Sequence, residues 1–160
     1  MNKSIDRVPR LPEKEFMEIV RMAPLVSFDL LVREPTGKIL VGWRKNEPAK
    51  GYWFVPGGII RKGETMVEAF ARITRDELGR SISLASARLR GIFEHMYEKN
   101  AAGLPGFGTH YIVLAHEIEW PVHVVAFPEA QHDEFKWLTS EEIKNNPKVH
   151  PYTKAYFVNE

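Results

Sequence analysis

Two adjacent glycines, Gly57 and Gly58, stand a few residues before Glu64, and the segment beyond them carries Arg72, Asp76 and Glu77. Glycine lets a backbone carbonyl come close to a cation or a phosphate. Carboxylates are hard oxygen ligands for a divalent ion. Phosphate handling is the chemistry these types could do together. One position does not serve it. Ile73 stands one helical turn before Glu77, where a helix presenting carboxylates to a metal would carry another acid. At about 3.6 residues per turn, Met66, Phe70 and Ile73 form an apolar stripe that Val67, Thr74 and Leu78 widen. Glu77 lies within roughly 20° of the Met66–Phe70 direction, on the buried-facing side. A charged carboxylate there is costly without a cation, which could be Arg72, another core arginine or a metal. Asp76 reads equally well as a solvated helix residue, and Gly79 as a helix C-cap. Glu64 favours the helix start electrostatically whether or not it takes part in chemistry.

The elements that must position these groups follow from patterning. Residues 1–12 are polar and proline-punctuated and are expected to form an N-terminal arm; residues 13–160 suit a single domain. The segment from Pro12 to Pro24 predicts a short amphipathic helix with Phe16, Ile19, Val20 and Met22 to one side. "LVSFDLLV" and "ILVGW", joined by the turn "REPTGK", predict a hairpin, and "GYWFVPGG" a short strand stopped at Pro56. A helix is expected over Thr65 to Leu78, closed by Gly79. "ARLRGIFEHMYEK" and "GTHYIVLAHEIEW" predict long antiparallel strands, "HDEFKWL" a short one, and Thr139 to Glu142 has the spacing of a capping box. Helices interspersed with a mixed, mostly antiparallel sheet point to an α/β sandwich.

Composition narrows the function classes. The net charge of +1 gives no argument for a polyanion-binding surface, so nucleic acid is not favoured. With no cysteine, disulfides, thiolate metal sites and a cysteine nucleophile are excluded. No apolar run approaches membrane-spanning length, and the first residues lack the apolar core of a signal peptide, so a soluble cytoplasmic protein without membrane partners is expected.

Gly58, Glu64, Arg72, Glu77 and Gly79 match the spacing of the Nudix box, G-x5-E-x7-R-E-U-x-E-E-x-G-U with U aliphatic, and the chain resembles that superfamily. Ile73 replaces a glutamate, Thr74 and Arg80 stand at aliphatic positions, and Asp76 is a conservative change. "PLVSFDLLV", "PAKGYWFVPGG", "THYIVL" and "EAQHDEFKWLTS" are similar to the GDP-mannose mannosyl hydrolase branch, from about Pro24 to the C-terminus. The resemblance implies a Nudix α/β/α sandwich, a homodimer, and a nucleotide-sugar substrate. It also implies water attack at the anomeric carbon with inversion, giving GDP and the free hexose.

In such an enzyme the Gly57 carbonyl, Glu77 and Gln131 would hold one Mg²⁺, or Mn²⁺, on the diphosphate. His132 would be the general base, since an imidazole can take a proton from water near neutrality. Arg44 is a candidate diphosphate clamp. Arg72 would hold Glu64 and Glu77, or touch the leaving group. His95 and Tyr111, on the two long strands, could donate to phosphate oxygens or be core residues with satisfied tips. Asp29 interrupts an apolar strand and needs a partner: sugar, base or a buried arginine. The branch carries an arginine after the two glycines where this chain has Ile59; Arg61 could substitute if the loop stays extended. Two other functions compete. One is a pyrophosphatase attacking phosphorus to give a nucleoside monophosphate and sugar 1-phosphate, against which Ile73 argues. The other is a non-catalytic nucleotide-sugar binding module, against which Glu77, Gln131 and His132 together argue.

Overall fold

In a computed structural model of the chain, residues 9–121, 127–128 and 132–160 are described, His132 and Asp133 through their backbone alone. The order is α1 (Glu13–Met22), β1 (Leu25–Arg33), β2 (Ile39–Arg44), β3 (Trp53–Phe54), β4 (Gly57–Ile59) and α2 (Met66–Leu78). After these come β5 (Arg88–Tyr97), β6 (Thr109–Glu119), β7 (His132–Leu138), α3 (Ser140–Asn145) and α4 (Pro151–Ala155). The sheet runs β3-β2-β1-β6-β5, with β4 beside β1 and β7 beside β2. β1 and β6 are parallel; the other pairs are antiparallel.

Alternation along β1 divides the core. Phe28, Leu30 and Val32 point to one face and pack with Ala69, Phe70, Ile73 and Leu78 of α2. Leu31, with Ile39 and Val41 of β2, points to the other and meets Ile143, Val149, Tyr156 and Phe157 of the C-terminal segment. Helices therefore cover both faces of a mixed sheet, the α/β/α sandwich expected from the sequence. On one side β1 is shared: its end pairs with β2 at Arg33–Ile39, and its first half pairs with β4 at Ser27–Ile59, Phe28–Gly58 and Asp29–Gly57. That fork brings the Gly57 backbone beside Asp29.

Both helix stripes need correction. In α1 the buried residues are Met17 and Val20, while Ile19 and Met22 are exposed. The helix packs at the start of the sheet, against Leu25, Ile59, Phe107 and Tyr111. In α2 the buried face begins at Ala69; Met66 and Val67 are exposed, because the docking surface of β1 is taken up by Ala69, Phe70, Ile73 and Leu78. Thr74, at a position of the motif that is usually aliphatic, is fully buried. Its hydroxyl donates to the Phe70 carbonyl (2.9 Å) and accepts from the Ile82 amide (2.9 Å). Arg80 lies over the Trp120 ring at 5.7 Å. β4 and α4 have no counterpart among the sequence expectations. The first is extended only because β1 offers it a partner. The second starts at His150, whose ring accepts from the Tyr152 amide (3.1 Å), followed by Pro151 in the first turn.

Candidate functional site

The loop between β4 and α2 is fixed by one buried ion pair. Arg72 donates through Nε to Glu64 Oε1 (2.5 Å) and through Nη2 to Glu64 Oε2 (2.8 Å) and the Ile59 carbonyl (2.9 Å). Glu64 also accepts from the Arg61 amide (2.8 Å). Burial alone would raise the Glu64 carboxyl, but the Arg72 hydrogen bonds, the Arg61 amide and the two guanidinium charges outweigh it and hold it below its ordinary range. Arg72 has a second carboxylate, Asp76, at 3.6 Å, so Asp76 lies half-exposed beside it. Thr65 and Glu68 cap the helix reciprocally, and Gly79 ends it in the left-handed region at φ 77°. Glu64 and Arg72 therefore brace the loop that follows Gly57 and Gly58.

Asp29 is the electrostatic centre. It is buried, with its carboxyl pushed up to about 7 by desolvation and by the Glu77 charge; the Tyr156 hydroxyl and the Arg44 charge oppose the rise. Tyr156 donates to Asp29 Oδ2 at 2.5 Å, and its oxygen lies 3.2 Å from His95 Nε2. A Cβ built on Gly57 would stand 2.6 Å from Asp29 Oδ1 and 2.5 Å from the Phe28 carbonyl, so only glycine fits there. Glu77 is 6% exposed and within electrostatic reach of Asp29. Two buried like charges beside a close-approaching backbone are a donor set that fits a hard divalent cation. Among the described residues, no group of three or more His, Cys, Asp or Glu could hold a metal.

Arg44 and Tyr111 join the same neighbourhood. The Arg44 charge opposes the rise of the Asp29 carboxyl and of the Tyr111 hydroxyl, which burial raises first of all. Arg44 is paired in register with His132 across β2 and β7, so the two expected site residues share one end of these strands. The His132 side chain and Gln131 lie outside the described residues. Arg61 is oriented elsewhere: its electrostatic neighbours are Arg72, Glu64, Arg10 and Asp76, on the α2 side. Ile59 packs among the apolar residues facing α1, with Tyr111. β4 ends at Ile59, although the Ile60 amide still donates to the Val26 carbonyl (2.9 Å).

Of the two roles open to His95, the structure favours the core residue with a satisfied tip. It is 3% exposed, burial and the nearby His150 pull it down to about 4, and its Nε2 faces Tyr156. A neutral imidazole committed in this way is a poor donor to phosphate oxygens. Its ring stacks on Tyr152 at 4.1 Å and 6°. Tyr97, Tyr152, His150 and Tyr156 were not among the residues singled out in the sequence. The weak signal for three of them was "HPYTKAY" itself, polar aromatics at helical spacing with a proline start.

Residues 23–159 match the NUDIX domain. This chain belongs to the Nudix family. The Haloferax volcanii protein "Low-salt glycan biosynthesis protein Agl8" is 36% identical to this Nudix chain over 158 residues, covering 97% of it and 94% of the relative. The Methanocaldococcus jannaschii "ADP-ribose pyrophosphatase" is 43% identical over only 56 residues, 35% of this chain and 32% of that protein. A MutT protein from Methanosarcina mazei shares the fold at TM-score 0.65 and 22% identity, over 84% of this chain and 91% of that one. The Shewanella oneidensis NrtR Nudix domain, crystallised with ADP ribose, shares it at TM-score 0.61 and 16% identity, over 91% and 96%. Nudix hydrolases act on nucleotide-derived substrates and generally use divalent metal ions such as Mg²⁺. Among the described residues of this Nudix domain, no helix is long and apolar enough to cross a membrane.

Proposed function

We propose that this Nudix hydrolase cleaves a GDP-hexose, GDP-mannose or GDP-glucose, to GDP and the free sugar by water attack at the anomeric carbon. The observation that carries this reading is Ile73. It is 1% exposed within the core of α2, and a Cβ added at Gly58 would stand 3.2 Å from its side chain. The position is filled by packing, so the helix offers the site one carboxylate fewer than the motif prescribes. Fewer acids favour a single ion on the leaving group over an assembly that activates water at phosphorus. The glycan-related name of the Haloferax relative accords with a nucleotide-sugar substrate.

The ion would be Mg²⁺, with Mn²⁺ as a substitute, held by the Gly57 carbonyl, Glu77 and Gln131. When bound it would neutralise charge developing on the diphosphate. The chain's own residues account for the rest. His132 takes a proton from the attacking water, whose oxygen bonds to the anomeric carbon. The bond from that carbon to the diphosphate oxygen breaks, and its electron pair leaves with GDP. Attack from the face opposite the leaving group inverts the anomer. Arg44 and Tyr111 face the departing diphosphate, and Asp29 accepts from a sugar hydroxyl. A homodimer is part of the same proposal.

The partial likeness to an ADP-ribose pyrophosphatase favours one second reading, attack at phosphorus. Product analysis separates them. Incubation with GDP-mannose and Mg²⁺ is expected to give GDP and mannose; GMP and mannose 1-phosphate would establish the second reading, and no turnover of any nucleotide sugar would overturn both.

A further inference from the structure

We propose that Tyr156, at the end of α4, is a positioning residue that locks Asp29 and His95 into one hydrogen-bonded chain and so aims the Asp29 carboxylate at the substrate. The inference rests on the nucleotide-sugar reading above. A phenol has one proton to give. Tyr156 gives it to Asp29 Oδ2, at 2.5 Å. Its contact with His95 Nε2, at 3.2 Å, then requires the histidine to be the donor. That fixes His95 as the Nε2–H tautomer with a bare Nδ1, consistent with an imidazole held neutral by burial.

The surroundings leave this chain little freedom. Phe93 meets the Tyr156 ring edge-on at 4.7 Å, and Tyr152, one turn earlier on α4, stacks on the His95 ring. Tyr152 is itself tied to β5, donating to the Met96 carbonyl (2.7 Å) and accepting from its amide (2.9 Å). On the far side of Asp29, the Gly57 backbone closes against Oδ1. A single short helix thus sets the rotamers of two residues on β1 and β5. Asp29 is held from one oxygen by Tyr156, and its other oxygen stands beside the backbone proposed to carry the ion. Without the phenol, an aspartate in the middle of an apolar strand would turn to find another donor, and its alignment with the sugar would be lost.

Tyr156→Phe removes the hydroxyl and keeps the ring. Its expected effect is a fall in kcat of roughly tenfold to a hundredfold with KM changed little, and a fall in melting temperature of roughly 2–12 °C from the buried groups it leaves without a partner. In the unsubstituted protein, nitrogen-15 NMR of the histidine rings is expected to give His95 as the Nε2–H tautomer, and Tyr156→Phe to abolish that preference. Tyr156→Phe and Asp29→Asn together should cost little more than Asp29→Asn alone. An Nδ1–H tautomer in the unsubstituted protein overturns the chain of donors even if the variant does not fold. Unchanged kcat in Tyr156→Phe, or fully additive losses, overturns the positioning role alone. A parent enzyme inert toward every nucleotide sugar overturns the proposed function and this role with it.

Discussion

Arg72→Ala should damage stability far more than an ordinary surface change, because it strands Glu64. The Glu64 side chain is 4% exposed and that of Arg72 is 8%. The alanine variant removes two hydrogen bonds to the carboxylate and the one to the Ile59 carbonyl, leaving Glu64 only the Arg61 amide. Breaking a buried pair from one side costs about 3–5 kcal/mol. For a chain of this size that corresponds to a fall in melting temperature of roughly 6–20 °C. Arg72→Lys should recover little, since an ammonium cannot reproduce the two-point contact. Replacing both partners by methionine should cost less than Arg72→Ala, because no charge remains stranded. The sign with pH follows from the lowered Glu64 carboxyl. The pair's contribution is fully present above the ordinary value of 4.5 and is lost as pH falls through the folded one. Urea unfolding of the variants near neutral and at acid pH provides the assay. A loss below about 1 kcal/mol for Arg72→Ala, the range of exposed pairs, would refute the reasoning.

Other expectations follow from the same geometry. Glu77→Gln should raise the Mg²⁺ needed for half-maximal activity by about tenfold or more, measured by metal titration of the rate; unchanged activation would count against Glu77 as a ligand. Gly57→Ala should lose about 1–3 kcal/mol in urea unfolding and most of its activity, since the new Cβ meets a backbone carbonyl at 2.5 Å. His150 is pulled down to about 4 by burial, so its stabilising share is present above its ordinary 6.5 and is lost as pH falls toward 4. The raised Asp29 carboxyl works in the opposite direction, gaining stability as pH falls through about 7. The stability difference between the parent and His150→Gln, which isolates the histidine, should therefore shrink on acidification from pH 6.5; a constant difference would contradict it.

Much of the fold was legible because local signals and tertiary demands agreed. Thr65 and Gly79 mark both ends of α2 in the sequence, and the structure caps it with those residues. Thr139 and Glu142 likewise form the expected capping box. The apolar stripe at Met66 and Val67 misled, because periodicity reports which residues could be buried and the facing surface decides which are. β4 was invisible, since two glycines have no strand preference and are extended only by pairing with β1. Glu77's burial followed from helix geometry, but the partnership of Asp29 with Tyr156 joins residues 127 positions apart. No spacing rule reaches that far, so the need of Asp29 for a partner was readable while the partner was not.

Hydrolysis of GDP-mannose in oxygen-18 water is the most direct test of where attack occurs. Mass spectrometry of both products locates the new oxygen. The label is expected wholly on the released sugar, with none in GDP. Label in a phosphate group, on GMP or on mannose 1-phosphate, would contradict attack at carbon.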